Sequence, residues 1–332
     1  MSRAPRPPQP AGPEIDVVGA AIGARLRARD LSAAPDALNL LESTVPTDRE
    51  QSAALLAEVS PAWLGQEAPG HIVGITGPPG AGKSTLLSAL LRAWRQEGLS
   101  VAMLAVDPSS RRSGGSLLGD RARIDFDPTD AGVFIRSTSA GTQLGGLSWA
   151  TRAAAQALAA AFDVVVIETV GVGQAETDVA DVADTIAVVV QPGSGDVLQF
   201  LKSGIMEIPD VLVVTKADLG QVAVRTRRDL SAALRSLGSR ATQVIAVSSL
   251  SPPQGVEELV AALQTHREQL DLPQRRLHAR RASALADYAR EHGERGLSAL
   301  GGRRAAQAML AALDPGADVP ALVAALERRA AN

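Results

Sequence analysis

Eight consecutive residues, Gly77-Pro78-Pro79-Gly80-Ala81-Gly82-Lys83-Ser84, carry the first recognisable chemistry of this chain, and Thr85 follows them. They fit the phosphate-loop pattern G-x-x-x-x-G-K-[ST]. The glycines let successive backbone N–H groups turn toward one anion, and a helix starting there adds the positive end of its dipole. Lys83 is placed to reach outer phosphates, and the Ser84 hydroxyl to hold Mg²⁺. A plain turn before a helix needs a glycine or two, not Lys-Ser at this offset. The expected ligand is a nucleoside phosphate.

Further segments follow in the order a guanine-nucleotide hydrolase needs. Asp107 closes the run VAMLAV, and a carboxylate at a strand end can bind Mg²⁺; an Asp-Pro turn is the competing reading. Gly114 to Arg121 reads as a mobile glycine-rich loop, which brings Asp120 into the metal shell if it closes on the nucleotide. Val164 to Ile167 is an apolar run ending in Glu168, a second candidate for the Mg²⁺ shell. Gly171 after it offers an N–H to the γ-phosphate. Gln199 and Lys202 lie three apart after Gln191-Pro192-Gly193, so a helix there puts both on one face, aimed at the nucleotide or at a partner. Thr215-Lys216-Ala217-Asp218 resembles N-K-x-D. Asp218 can accept from guanine N1–H and the 2-amino group, and adenine has neither donor. Lys216 would lie along the base. Threonine replaces the asparagine whose amide braces this loop, but it keeps a hydroxyl. Ser248-Ser249-Leu250 falls where a further base-contacting loop is expected.

These groups need a scaffold that brings strand ends together. Seven short apolar runs, Ile72–Thr76, Val101–Val106, Val133–Arg136, Val164–Glu168, Thr185–Val190, Val211–Thr215 and Val244–Val247, alternate with amphipathic segments such as Ser84–Trp94. Their β-branched composition suits strands covered on both faces, so the fold class is α/β with a mostly parallel sheet. Ligands sit at the carboxyl ends of such strands, which is where the motifs fall. The domain plan is a disordered tail over 1–13, an N-terminal helical segment over 14–66, a nucleotide-binding domain over 67–269 and a helical extension over 270–332. Arg275, Arg276, Arg280, Arg281, Arg290 and Arg295 make the extension basic, and interleaved Ala and Leu point to packing or self-association.

Composition removes other classes. Aromatic residues are 2% of the 332-residue chain, too few for a base-stacking platform, and the net charge of −3 steers neither nucleic acid nor an anionic membrane. No cysteine is present, so disulfides, Cys-zinc sites and iron–sulfur clusters are excluded. The longest apolar runs are strand-length, and a cytoplasmic location is expected.

Taken together, GPPGAGKST, DPSS…GGSLLGDRARI, ETVGVGQAE, GSGDVLQFLKSGI and TKAD resemble the MeaB/ArgK family of P-loop GTPases, in the SIMIBI class. The resemblance runs from about Leu31 into the C-terminal helices. It implies GTP and GDP as substrate and product, Mg²⁺ as cofactor, and a chaperone role toward an adenosylcobalamin-dependent acyl-CoA mutase. It implies a homodimer built on the C-terminal helices. By position, Lys83 and Ser84 match the phosphate and Mg²⁺ ligands, Asp107, Asp120 and Glu168 the metal and switch shell, and Asp218 the guanine reader. Gln199 and Lys202 match an extra switch loop that communicates with the mutase. Thr215 for Asn and Ser249 for Ala depart from the family pattern. A metallochaperone GTPase, which usually carries Cys or His clusters, a small-molecule kinase and a nucleotide-binding adaptor are the rival readings.

Overall fold

A computed structural model describes residues 18–107, 124–139, 147–169, 175–193, 209–236, 238, 239 and 241–331. Seven strands form one sheet: β1 (His71–Thr76), β2 (Val101–Asp107), β3 (Val133–Ser139), β4 (Val164–Thr169), β5 (Thr185–Val190), β6 (Val211–Val214) and β7 (Gln243–Ala246). Their spatial order is β3-β2-β4-β1-β5-β6-β7. Every pairing is parallel, where the sequence predicted a mostly parallel sheet. Thr215 falls just outside β6, although its N–H still donates to the Val190 carbonyl at 2.9 Å and continues the β5–β6 ladder.

Twelve α-helices lie among the described residues. The N-terminal ones are α1 (Val18–Arg27), α2 (Ala34–Glu42), α3 (Pro46–Glu58) and α4 (Pro61–Leu64). The body carries α5 (Lys83–Gln96), α6 (Trp149–Leu158), α7 (Ala175–Ala180), α8 (Gln221–Ser236) and α9 (Val256–Gln269). The C-terminal arm holds α10 (Leu272–Ala299), bent at Gly293 with φ 62°, then α11 (Arg303–Ala311) and α12 (Val319–Ala330).

Side chains alternate across each strand, so the sheet feeds two cores. One face packs Ile72, Leu104, Ile167 and Val188 against Leu26, Leu38 and Leu55 of the N-terminal helices and Leu230 of α8. The N-terminal helices therefore share the sheet's core and have none of their own. The other face packs Val73, Met103, Val166 and Val189 against Leu86, Leu90 and Trp94 of α5 and Leu259 and Leu263 of α9. A third cluster, around Tyr288, Leu297, Leu310 and Leu322, belongs to the arm.

The N-terminal edge of the sheet is fastened by a repeated device. Asp163, Asp184 and Asp210 each precede a strand and accept the backbone N–H of a neighbouring chain segment, from Ser100, Ile72 and Ile186 at 2.8, 2.8 and 2.9 Å. This satisfies strand-end donors without backbone partners. Arg276 of α10 then reaches Asp184 with Nε at 2.9 Å and Nη2 at 2.7 Å, and donates to the carbonyls of Ala68 and Gly70. Arg280 grips Glu67 at 2.8 and 2.9 Å, and Arg152 of α6 pairs with Asp287. Several arm arginines that the sequence marks as a basic face are thus packing groups, with Arg276 and Arg280 buried.

Candidate functional site

The register of the central strands brings the motif residues to one edge. Ile75 of β1 lies beside Glu168 of β4, and Glu168 lies beside Ala105 of β2. Thr76 and Thr169 close β1 and β4 with a hydroxyl–hydroxyl bond of 2.8 Å. The chain then turns through the phosphate loop into α5, whose first residue is Lys83. Two glycines there are required by geometry. Gly77 has φ 146°, and a Cβ on it would lie 2.1 Å from the Val189 carbonyl oxygen. Gly82 precedes α5 with φ 89°, in the left-handed region that favours glycine. Ala81 is buried beneath the loop, while Pro79 and Gly80 are exposed and Pro78 is half-buried.

Lys83 is buried and its ammonium donates to the carbonyls of Gly77 at 2.7 Å and Pro78 at 3.2 Å. The lysine is thereby aimed along the loop, where its bonds to neutral carbonyls are weaker than those to phosphate oxygens. Ser84 Oγ donates to Glu168 Oε1 at 3.4 Å, which joins a hydroxyl and a carboxylate oxygen at the start of α5. Two hard oxygen ligands this close suit Mg²⁺, which takes few protein ligands and keeps waters and phosphates for the rest. Thr85 is exposed on the first turn of α5.

The base-reading loop is tied to the phosphate loop. Thr215 is buried, and its Oγ1 lies 2.6 Å from the Ala81 carbonyl oxygen and 3.1 Å from that of Val190. The hydroxyl bears one proton, and the shorter contact assigns it to Ala81. Threonine therefore supplies a brace that the sequence left without its asparagine amide. Lys216 takes φ 53° and donates to Gln191 Oε1 at 2.5 Å and to the Gly80 carbonyl at 3.3 Å. Asp218 is exposed, and the Ser248 hydroxyl donates to its Oδ1 at 3.0 Å. Ser248 is held in turn by a two-bond backbone bridge with Gln254 at 3.0 and 2.9 Å. Ser249 is half-buried and Leu250 is exposed on the same loop.

Phosphate loop, Glu168, Thr215-Lys216-Asp218 and Ser248 thus gather along one edge of the sheet. Asp107 closes β2 at that edge, with its side chain outside the described residues. Asp120, Gly171, Gln199 and Lys202 also lie outside the described residues. Sequence reasoning missed Gln191 as the partner of Lys216, and the Thr76–Thr169 pair. Their signal was positional, because each sits at or just after the end of a strand. The candidate metal ligands found elsewhere among the described residues, Glu291, His292 and Glu327, are exposed and far along the chain from this edge.

The family profile described as methylmalonyl Co-A mutase-associated GTPase MeaB matches residues 34–299. A putative GTPase of Pyrococcus abyssi is 44% identical over 239 residues, spanning 70% of this chain and 72% of that protein. A probable GTPase of Mycobacterium tuberculosis is 42% identical over 253 residues, 74% of each chain. The mitochondrial methylmalonic aciduria type A homolog of Mus musculus is 36% identical over 249 residues, 71% of this chain and 60% of that protein. A solved structure described as LAO/AO transport system kinase superposes with a TM-score of 0.64 at 27% identity, covering 97% of this chain and 100% of that one.

Proposed function

We propose a function from the premise that the chain belongs to the MeaB family of GTPases: it is a GTP-hydrolysing chaperone of an adenosylcobalamin-dependent acyl-CoA mutase. It would act in the cytoplasm as a homodimer, with the 270–332 extension as the dimer contact. The observation that carries the nucleotide half is the coupling of the two recognition loops. Thr215 ties the base loop to Ala81 of the phosphate loop, and Ser248 orients the Asp218 carboxylate toward the solvent space where a base would lie. The mutase half rests on family membership, supported by likeness to the methylmalonic aciduria type A homolog.

In this reading Gly77 to Thr85 wrap the phosphates, and Lys83 exchanges its carbonyl partners for phosphate oxygens. Ser84 and Glu168 would hold Mg²⁺, with Asp107 and Asp120 as further candidate ligands. The ion, when bound, offsets charge on the phosphates. The chain's own work is positioning: Lys83 stabilises charge developing on the γ-phosphoryl oxygens, and the Gly171 N–H senses that group. Gln199 and Lys202 would carry its state to the mutase. No glutamine directly follows Gly171, so the intrinsic rate should be slow and should rise when a partner orders the site.

The test is GTP turnover during titration with a cobalamin-dependent acyl-CoA mutase from the same source. A saturable acceleration supports the chaperone reading, and a flat response removes it. The structural likeness to a protein named a kinase favours one second reading, small-molecule phosphorylation. Asp218 argues against it, and ATP turnover exceeding GTP turnover would restore it.

A further inference from the structure

Seven large apolar side chains stand exposed among the described residues, and four of them belong to one neighbourhood: Leu219 (51%), Val222 (49%), Val224 (57%) and Leu250 (60%). Scattered exposed apolar residues are ordinary, but a contiguous group marks a contact surface. Leu219 and Leu250 are brought together by the base loop, and Val222 and Val224 flank it on two sides of one helix. The Ala217 N–H donates to the Val247 carbonyl at 3.1 Å, and Ser248 donates to Asp218. Leu219 and Leu250 therefore project from two adjoining turns. α8 starts two residues after Leu219, with Val222 and Val224 in its first turn.

The helix continues the patch as a basic stripe. Ala223, Leu230 and Leu234 are its buried face. At 3.6 residues per turn, Arg225, Arg228 and Arg235 fall on the opposite side together with Asp229, Val224 lies on the flank beside Arg228 and Arg235, and all five are exposed. Arg227 is exposed on the flank. Against four arginines, α8 carries one carboxylate, Asp229, at 3.8 Å from Arg225 with both side chains mostly in solvent. This concentration of positive charge sits on a chain whose net charge is −3.

We propose that the outward face of α8, with Leu219, Val222 and Leu250, is a docking surface for an acidic protein surface carrying apolar side chains. A partner seated there covers the approach to Asp218 and so retains bound nucleotide. The charge pattern selects the occupant. A second copy meeting this face through a twofold axis would set arginine against arginine. An anionic lipid surface shares the charge complementarity, but no aromatic or long apolar anchor stands among the arginines of the stripe. Identifying the acidic partner as the mutase rests on the function proposed above.

The test compares the full chain with Arg225→Glu/Arg228→Glu and, separately, Val224→Ser. The probes are the mutase from the same source and vesicles containing phosphatidylserine. Circular dichroism and unstimulated GTP turnover serve as controls, because these side chains are exposed and outside the nucleotide site. The expected result is mutase binding that weakens with salt and is lost by about tenfold or more in the charge-reversed pair. Val224→Ser should lose several-fold, and the mutase should slow release of a fluorescent GDP from wild type but not from the reversed pair. Equal mutase binding by wild type and both variants overturns the docking surface and leaves the chaperone reading standing. Failure of wild type to bind the mutase removes the chaperone reading and this partner together. Vesicle binding, or a change in sedimentation, abolished by the charge reversal would reassign the face to lipid or to self-association and overturn the proposal.

Discussion

Both ends of the same seven strands carry charged side chains, and the two ends hold them differently. At the N-terminal edge, Asp184 is fully buried and accepts from Ile72 N–H and from two nitrogens of Arg276. At the C-terminal edge, Lys83 and Lys216 rest on backbone carbonyls and a glutamine amide, and Asp218 is exposed with a bond to Ser248. The first set is bonded charge to charge at fixed geometry. The second set includes bonds to neutral groups, which an anion or a guanine edge can outcompete. The bonds described at one end are ionic and hold the fold, and those described at the other include ones that a ligand can replace.

Removing one partner of a committed pair should have the largest effect. Arg276→Ala leaves Asp184 buried without its counter-ion, and loss of a buried partner costs about 3–5 kcal/mol. Denaturant unfolding should show that loss, while GTP turnover per folded molecule stays near wild type. A variant of unchanged stability would break the comparison at its N-terminal end. Lys83→Ala should do the reverse. Turnover should fall by about 10²–10³-fold, the range for removing one preorganised charge stabiliser, with little change in stability. Turnover at the wild-type rate would remove Lys83 from the mechanism.

The C-terminal edge was readable because its chemistry is local. Gly77 to Ser84 and Thr215 to Asp218 are short runs whose spacing fixes what each residue can reach. All seven strands were also legible, since buried parallel strands are near-continuous β-branched runs. The N-terminal edge was not. Asp163, Asp184 and Asp210 each stand one residue before a strand, a pattern visible in FDVVV, ADTIAVV and PDVLVV. Their partners lie far away in sequence, and Arg276 reaches Asp184 across 92 positions. Periodicity showed the arm as helical and basic but gave no means of telling Arg276, which is buried, from Arg295, which is exposed. Thr215 was legible as a departure from N-K-x-D, but its contact with Ala81 needed the fold.

The committed end also predicts a pH response. His71, the first residue of β1, is buried with its Nε2 2.8 Å from the Thr185 hydroxyl, and Thr185 also contacts His266 Nδ1 at 2.9 Å. Burial drives the His71 pKa down to about 3, against a smaller opposing pull from Asp184. The folded state therefore binds fewer protons than the unfolded one between about pH 6.5 and 3. Stability contributed by neutral His71 is complete above that window and falls as pH drops through it, by up to about 1.4 kcal/mol per pH unit. Asp184 separates cleanly from this. Burial alone would raise its carboxyl, but Arg276 and the Ile72 N–H outweigh burial and hold it below 3.8, so its contribution is lost only in stronger acid. Stability measured from pH 7 to 4 should slope for wild type and flatten in His71→Gln. An equal slope in both would place the acid sensitivity elsewhere.

The smallest expected effect tests the joint between the two recognition loops. Thr215→Val keeps shape and branching but removes the proton donated to Ala81, and valine cannot turn to another acceptor. A hydrogen bond of this kind contributes about 1 kcal/mol, and the buried Ala81 carbonyl would lose a partner. GTP affinity should therefore fall several-fold, with GDP affected alike, because the brace acts on loop geometry and touches no phosphate. Thr215→Ser should retain most affinity, since it keeps the donor and loses only a methyl. Thr215→Asn separates bracing from contact with the base. If the hydroxyl acts only as a brace, the asparagine variant binds GTP about as well as wild type and prefers it over ATP to the same degree. If Thr215→Val binds GTP as tightly as wild type, the contact with Ala81 is incidental, and the two loops are held in register by Lys216 and the sheet alone.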